Sequence, residues 1–290
     1  MTKFKDRLSQ GGILIADGAT GTTLQKAGLP TGTAPERWNL ENPDAIRALH
    51  RGYVEAGADL ILTNTFGGSR PRLRIEELGD QVHEVNLAAA RLAREVAGEE
   101  VLVLGDIGPT GQLLEPLGIL TYDEAVTAFA EQAAALAEGG VDAILIETMS
   151  DLKEAKAAIE GTRQATGLPI LVTMSFDTHG HTMMGVKPAQ AARELWAMGV
   201  AAVGANCGRT LSENLEAIRQ MREAMPQATL MAKPNAGLPR MDGGQSVYDV
   251  TPEIMVDYAQ KFAALDVKIF GGCCGSTPDH IKEVSLALQG

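Results

Sequence analysis

Eight times along this chain a short apolar run gives way to a longer helical pattern, and that alternation leaves few folds open. The apolar runs are Ile13–Ala16, Asp59–Thr63, Val101–Gly105, Ala143–Ile146, Ile170–Thr173, Ala201–Gly204, Thr229–Ala232 and Lys268–Phe270. Runs this short and continuous fit parallel strands buried on both faces. Helical patterns over Pro43–Ala56, Gln81–Ala97, Tyr122–Glu138, Asp151–Ala165, Pro188–Met198 and Leu211–Met225 separate them. Two more start at Thr251-Pro252 and Thr277-Pro278, where a capping residue precedes proline, as Asn42 precedes Pro43. Thr121-x-x-Glu124 reads as a capping box. Gly57, Gly98, Gly139, Gly167 and Gly199 sit where helices end. Eight strand–helix units in 290 residues predict an α/β fold, a (β/α)8 barrel, as one domain over residues 1–290. The alternative is an open doubly wound sheet, which should carry G-x-G-x-x-G after its first strand. Asp17-Gly18-Ala19-Thr20-Gly21 has the wrong spacing for that fingerprint.

Barrels of this kind place their active sites at the C-terminal ends of the strands. Here each strand is followed by polar or metal-binding residues: Asp17-Gly18, Asn64-Thr65, Asp106, Glu147-Thr148, Ser175, Asn206-Cys207, Asn235 and Cys273-Cys274. One such residue would mean little; their coincidence at every strand predicts that they converge on one site.

Cys207, Cys273 and Cys274 are the only cysteines in the chain. Free cysteines are commonly buried as small hydrophobes. The adjacent pair resists that reading, because neighbouring residues of a strand point to opposite faces. Gly271, Gly272 and Gly275 let the backbone leave strand geometry and aim both thiols one way. Three thiols make a Cys₃ zinc site with its fourth position open, suited to holding a substrate thiol. Asn235 stands where its amide oxygen can reach such a metal. Asp17 and Glu147 either cap the next helices or bind an ammonium group, with the amides of Gly18, Ala19 and Thr20 holding a carboxylate. Together these would clamp an α-amino acid, and Asn64 and Ser175 complete the candidate substrate-binding set. His179 and His181 read more simply as a polar hairpin tip than as a metal pair. Trp38, Phe66 and Tyr248 are the aromatics available near the mouth.

A formal net charge of −12 argues against nucleic acid or anionic membrane as a partner. The first residues lack the apolar core of a signal peptide, and no apolar run is long enough to span a membrane. Unpaired cysteines without a secretion signal point to the cytoplasm.

Seven segments together resemble the homocysteine S-methyltransferase family: Asp17–Thr22, Leu62–Gly67, Gly105–Gly111, Ile146–Thr148, Asn206–Gly208, Pro234–Gly237 and Gly271–Gly275. The resemblance runs through nearly the whole chain and implies a zinc-dependent (β/α)8 barrel that methylates L-homocysteine to L-methionine. It implies Cys207, Cys273 and Cys274 as zinc ligands. It implies Asp17, Gly18, Ala19 and Glu147 as the grip on the amino-acid end of homocysteine, and Asn235 as the fourth zinc position before substrate arrives. Gly105–Gly111 and Pro234–Gly237 look like the homocysteine module of cobalamin-dependent methionine synthase. Pro35–Asn39, Ser175–Asp177 and Met183–Gly185 look like bacterial betaine–homocysteine methyltransferases. With no room here for folate or cobalamin modules, a methylcorrinoid on a separate partner protein is the expected donor. Betaine or a sulfonium used directly, and a homocysteine-loading subunit of a larger complex, are the alternatives. A zinc hydrolase would use His and carboxylate ligands, which the Cys₃ set disfavours.

Overall fold

The apolar runs form eight parallel strands: β1 (Leu14–Ile15), β2 (Leu60–Leu62), β3 (Leu102–Ile107), β4 (Ala143–Met149), β5 (Ile170–Met174), β6 (Ala202–Cys207), β7 (Leu230–Pro234) and β10 (Val267–Phe270). A short antiparallel hairpin, β8 (Arg240–Asp242) and β9 (Gln245–Val247), lies between the last two. The computed structural model describes residues 2–242 and 245–289. Neighbouring strands run β1-β10-β7-β6-β5-β4-β3-β2. A parallel bridge from Ala16 to Leu60 joins the two ends. There Asp59 N donates to Ile15 O at 2.7 Å and Asp17 N to Leu60 O at 3.1 Å. The sheet therefore closes into the expected (β/α)8 barrel rather than lying open.

Strand periodicity sorts the core into two layers. Leu14, Leu60, Leu62, Leu102, Leu104, Leu145, Leu171 and Met231 cluster inside the barrel. Phe4, from the helix Lys3–Ser9, plugs this cluster at the N-terminal end. The alternate residues, among them Ile61, Val103, Ile144, Val172 and Val203, pack outward against helices through Phe129, Leu136, Ile159 and Ile218. Thr121 and Glu124 form the expected capping box, whereas Asn42 makes no side-chain cap bond.

The strands run further than the apolar pattern indicates. Parallel pairing continues past the last aliphatic residue, with Asp106 opposite Leu145, Asn206 opposite Lys233 and Cys207 opposite Pro234. Asp106, Glu147, Asn206 and Cys207 thus lie within strands, and pleating carries Asp106, Glu147 and Asn206 onto the inward face. No helix among the described residues is long and apolar enough to cross a membrane.

Candidate active site

A cavity of about 630 Å³ opens at the C-terminal end of the barrel. Gly18, Ala19, Thr20, Asn64, Glu147, Cys207, Cys273 and Cys274 line it, joined by Asp106, Thr148 and Lys233. Asp17, Ser175 and Asn235, also expected at the site, are not part of its lining.

The three thiols meet at the rim of β6 and β10. Their sulfurs lie within 4.8 Å of one another, and they form the one cysteine, histidine or carboxylate cluster among the described residues suited to a metal. Cys207 Sγ is 2.8 Å from Cys273 Sγ. Tetrahedral zinc with bonds of about 2.3 Å spaces its sulfurs about 3.8 Å apart, so the trio fits after a slight opening of this pair. Cys207 reaches the cluster by leaving strand geometry at φ +54°. An asparagine brace holds that turn. Asn206 Oδ1 accepts from Thr148 N at 2.8 Å and from Thr173 Oγ1 at 2.7 Å, while Nδ2 donates to Thr148 Oγ1 at 2.6 Å. On the β10 side, a Cβ on Gly272 would collide with Ser276 Oγ. At Gly275 (φ +82°) it would collide with the ring of Tyr248, which packs over this turn. The glycines beside the cysteines are thus required by close approach. Hydrogen bonding from Cys207 and Cys273 pulls the Cys274 thiol down to about 3, while contacts with Cys273 and Cys274 push Cys207 up. Asn235 Nδ2 donates to Gly208 O at 2.7 Å, and its buried Oδ1 has no partner. Three soft thiolates and a nearby unsatisfied amide oxygen are a donor set that suits zinc.

Asp17 is differently employed from the ammonium grip expected of it. Its Oδ1 accepts from Lys233 Nζ at 2.9 Å and its Oδ2 from Leu62 N at 2.7 Å. Both side chains of this pair are almost wholly buried. Burial pulls Lys233 down, but Asp17 and Glu147 outweigh it and hold the ammonium charged. The open carboxylate oxygens belong to Glu147 and Asp106, whose Oε2 and Oδ1 are buried without a partner. Burial, reinforced by Cys273, pushes Glu147 up to about 8, and burial with the Glu147 charge raises Asp106. An ammonium placed between them would reverse both shifts.

The remaining residues mostly build the wall. Asn64 ties two short helices, Pro35–Arg37 and Trp38–Glu41, to the barrel through Nδ2 bonds to Pro35 O and Asn39 Oδ1 at 2.8 and 2.9 Å. Ala19 N already donates to Ser276 O at 3.3 Å. Ser175 is buried off the cavity, its amide bonded to Met149 O. His179 and His181 form a hairpin tip, with Thr178 and His181 exchanging backbone bonds. Asp106 lies at the site as its strand-end position predicted, though no role was assigned to it, and sequence reasoning missed Lys233. The signal for Lys233 was a lysine extending the apolar run Leu230-Met231-Ala232.

Known proteins resemble this chain to different depths. The crystal structure of the Escherichia coli homocysteine methyltransferase MmuM, metallated form, superposes with a TM-score of 0.82 over 98% of this chain and 99% of that one. At 22% identity this likeness speaks for the fold. Methionine synthase of Mycobacterium leprae is 34% identical over 295 residues, covering 95% of this chain and 24% of that protein. Its Mycobacterium tuberculosis counterpart is 34% identical over 306 residues, covering 99% and 25%. The chain therefore spans about a quarter of the length of these curated relatives. The family described as homocysteine S-methyltransferase matches residues 14–288, from the first barrel strand into the last helix. A match of that extent takes in all three thiols and both open carboxylates, and the chain belongs to the homocysteine S-methyltransferase family.

Proposed function

We propose that this chain transfers a methyl group to the thiol of L-homocysteine, giving L-methionine. The observation that carries this reading is one cavity holding three clustered thiols and two buried carboxylates with open oxygens. Cys207, Cys273 and Cys274 would hold a zinc ion, with Asn235 Oδ1 as the fourth donor before substrate arrives. Zinc, when bound, lowers the pKa of a substrate thiol and keeps it as the nucleophilic thiolate. Glu147 and Asp106 receive the ammonium of homocysteine through charge-assisted hydrogen bonds. Gly18, Ala19, Thr20 and Asn64 close the wall around the amino-acid end. Held there, the sulfur faces the mouth in one orientation, which removes much of the entropy of bringing the reactants together. The sulfur supplies the electron pair for the new bond, and the donor's leaving group departs with the pair that held the methyl.

The donor in this reading is a methylcorrinoid carried by a partner protein. A quaternary ammonium or sulfonium donor favours an aromatic cage. Phe66 is the one aromatic among the described residues lining the cavity. Leu113, Leu117, Ile119, Met183 and Leu238 stand exposed on loops after β3, β5 and β7, giving apolar surface at the catalytic end. Three free thiols suit work in the cytoplasm.

Metal analysis and zinc-edge X-ray absorption, with and without L-homocysteine, test the reading. A shell of three sulfurs and one nitrogen or oxygen should become four sulfurs on addition. Zinc that gains no sulfur would overturn it. Turnover with methylcobalamin, and none with betaine or S-methylmethionine, would support the corrinoid donor; the reverse pattern would replace it.

A further inference from the structure

Lys233 is buried in a strand that is otherwise apolar, yet it lines the cavity. An ammonium taken out of water costs several kcal/mol unless its donors find partners. It carries three N–H donors. One of them is accounted for by Asp17 Oδ1 at 2.9 Å. Asp17 Oδ2 accepts from Leu62 N at 2.7 Å and makes no second bond to Lys233. Lys233 and Glu147 act on each other through charge, but no direct ion pair joins them. Across the same cavity Glu147 Oε2 and Asp106 Oδ1 are unsatisfied acceptors. The floor thus presents an anchored cation with donor capacity to spare and, apart from it, two carboxyl groups with open oxygens.

A zwitterion fills both needs at once. We infer that Lys233 is a specificity-determining residue that receives the α-carboxylate of the amino-acid substrate while Glu147 and Asp106 take its ammonium. Asp17 is then a positioning residue that holds Lys233 Nζ in place. The assignment rests on the homocysteine reading of the site and adds a direct ionic contact to it. It also states what the pocket rejects: an aminothiol of the same length without the carboxylate leaves Lys233 short of an acceptor.

Calorimetric titration of the zinc-loaded protein with L-homocysteine and with 3-amino-1-propanethiol tests this, since the two differ by the carboxylate. Wild type should prefer L-homocysteine by about 10- to 100-fold, the range for one charge-assisted hydrogen-bonded contact. Equal affinities in wild type would overturn the inference without any variant. Lys233→Met alone would strand Asp17 as a buried unpaired charge, so the informative protein is Asp17→Asn/Lys233→Met, which removes both charges together. In that variant L-homocysteine should weaken by about the same 10- to 100-fold while the aminothiol binds as before. Zinc content should stay unchanged. A variant that keeps the wild-type preference would overturn the role of Lys233. Wild type that binds neither thiol would instead overturn the homocysteine reading beneath it.

Discussion

The same strands build two unlike halves of the barrel interior. In the lower half Leu102 and Leu104 of β3, Ala143 and Leu145 of β4, and Met231 of β7 are fully buried and apolar. Two residues further along the same inward faces stand Asp106, Glu147 and Lys233. The lower half drives folding, since burying one large aliphatic side chain contributes about 1.5–3 kcal/mol. The upper half opposes it, because its carboxylates and ammonium have lost hydration that their few partners replace only in part. The difference teaches that function and folding are divided along each strand, not between strands. The apolar floor and the helical layer hold the barrel closed while its other end carries charge that folding alone would not select.

The largest effect should come from the metal ligands. Cys273→Ala should lose zinc and lower turnover by at least about 10³-fold, read by metal analysis beside activity. A variant with full zinc content would contradict the assignment of the trio. Leu104→Ala, two residues below Asp106, should do the opposite. It should lower stability by about 2–5 kcal/mol in chemical denaturation and leave zinc content and homocysteine affinity unchanged in the folded protein. A shift in affinity would break the separation between the halves.

The helical layer offers a third test. His50 is buried and both its ring nitrogens lack partners. Burial pulls it from 6.5 down to about 4. The unfolded chain then takes up a proton that the folded chain refuses. Stability should fall as pH drops from 6.5 towards 4, by up to about 3 kcal/mol. His50→Leu should flatten that limb of the melting-temperature profile; an unchanged slope would assign the loss to other groups. Glu147→Gln should weaken homocysteine binding by about 30- to 100-fold in titration. It should not lower the melting temperature, since it removes a buried carboxylate with an open oxygen. Smallest of all is Arg219→Ala. This exposed arginine pairs with Glu216 and Glu223 on the outer face of the helix Leu211–Ala224, and its loss should move neither melting temperature nor turnover.

Much of this site was legible in the sequence because its residues lie at strand ends, where chain order and spatial order agree. Cys207 with Cys273 and Cys274, and Gly18 to Thr20 with Asn64 and Glu147, do line one cavity. Other features were not legible, because periodicity reports which face a residue takes and not what it meets there. Asp17 and Glu147 both end apolar runs, yet one is locked to Lys233 and the other keeps an open oxygen. Ser175 follows β5 directly as Asp106 sits near the end of β3, but only Asp106 borders the cavity. Asn206 was noticeable as the neighbour of Cys207. Its role as the brace that joins Thr148 and Thr173 depends on contacts between β4, β5 and β6.

The sequence by itself determined the barrel, its eight-fold alternation and the end at which the chemistry gathers. These follow from hydrophobic period and turn residues, which act over a few neighbours along the chain. Only the tertiary structure decided which charges pair and which remain open, and how three thiols from β6 and the turn after β10 come within 4.8 Å. Lys233 and Asp17 are separated by 216 residues and meet at 2.9 Å because the barrel closes, and no local pattern encodes a contact that closure creates.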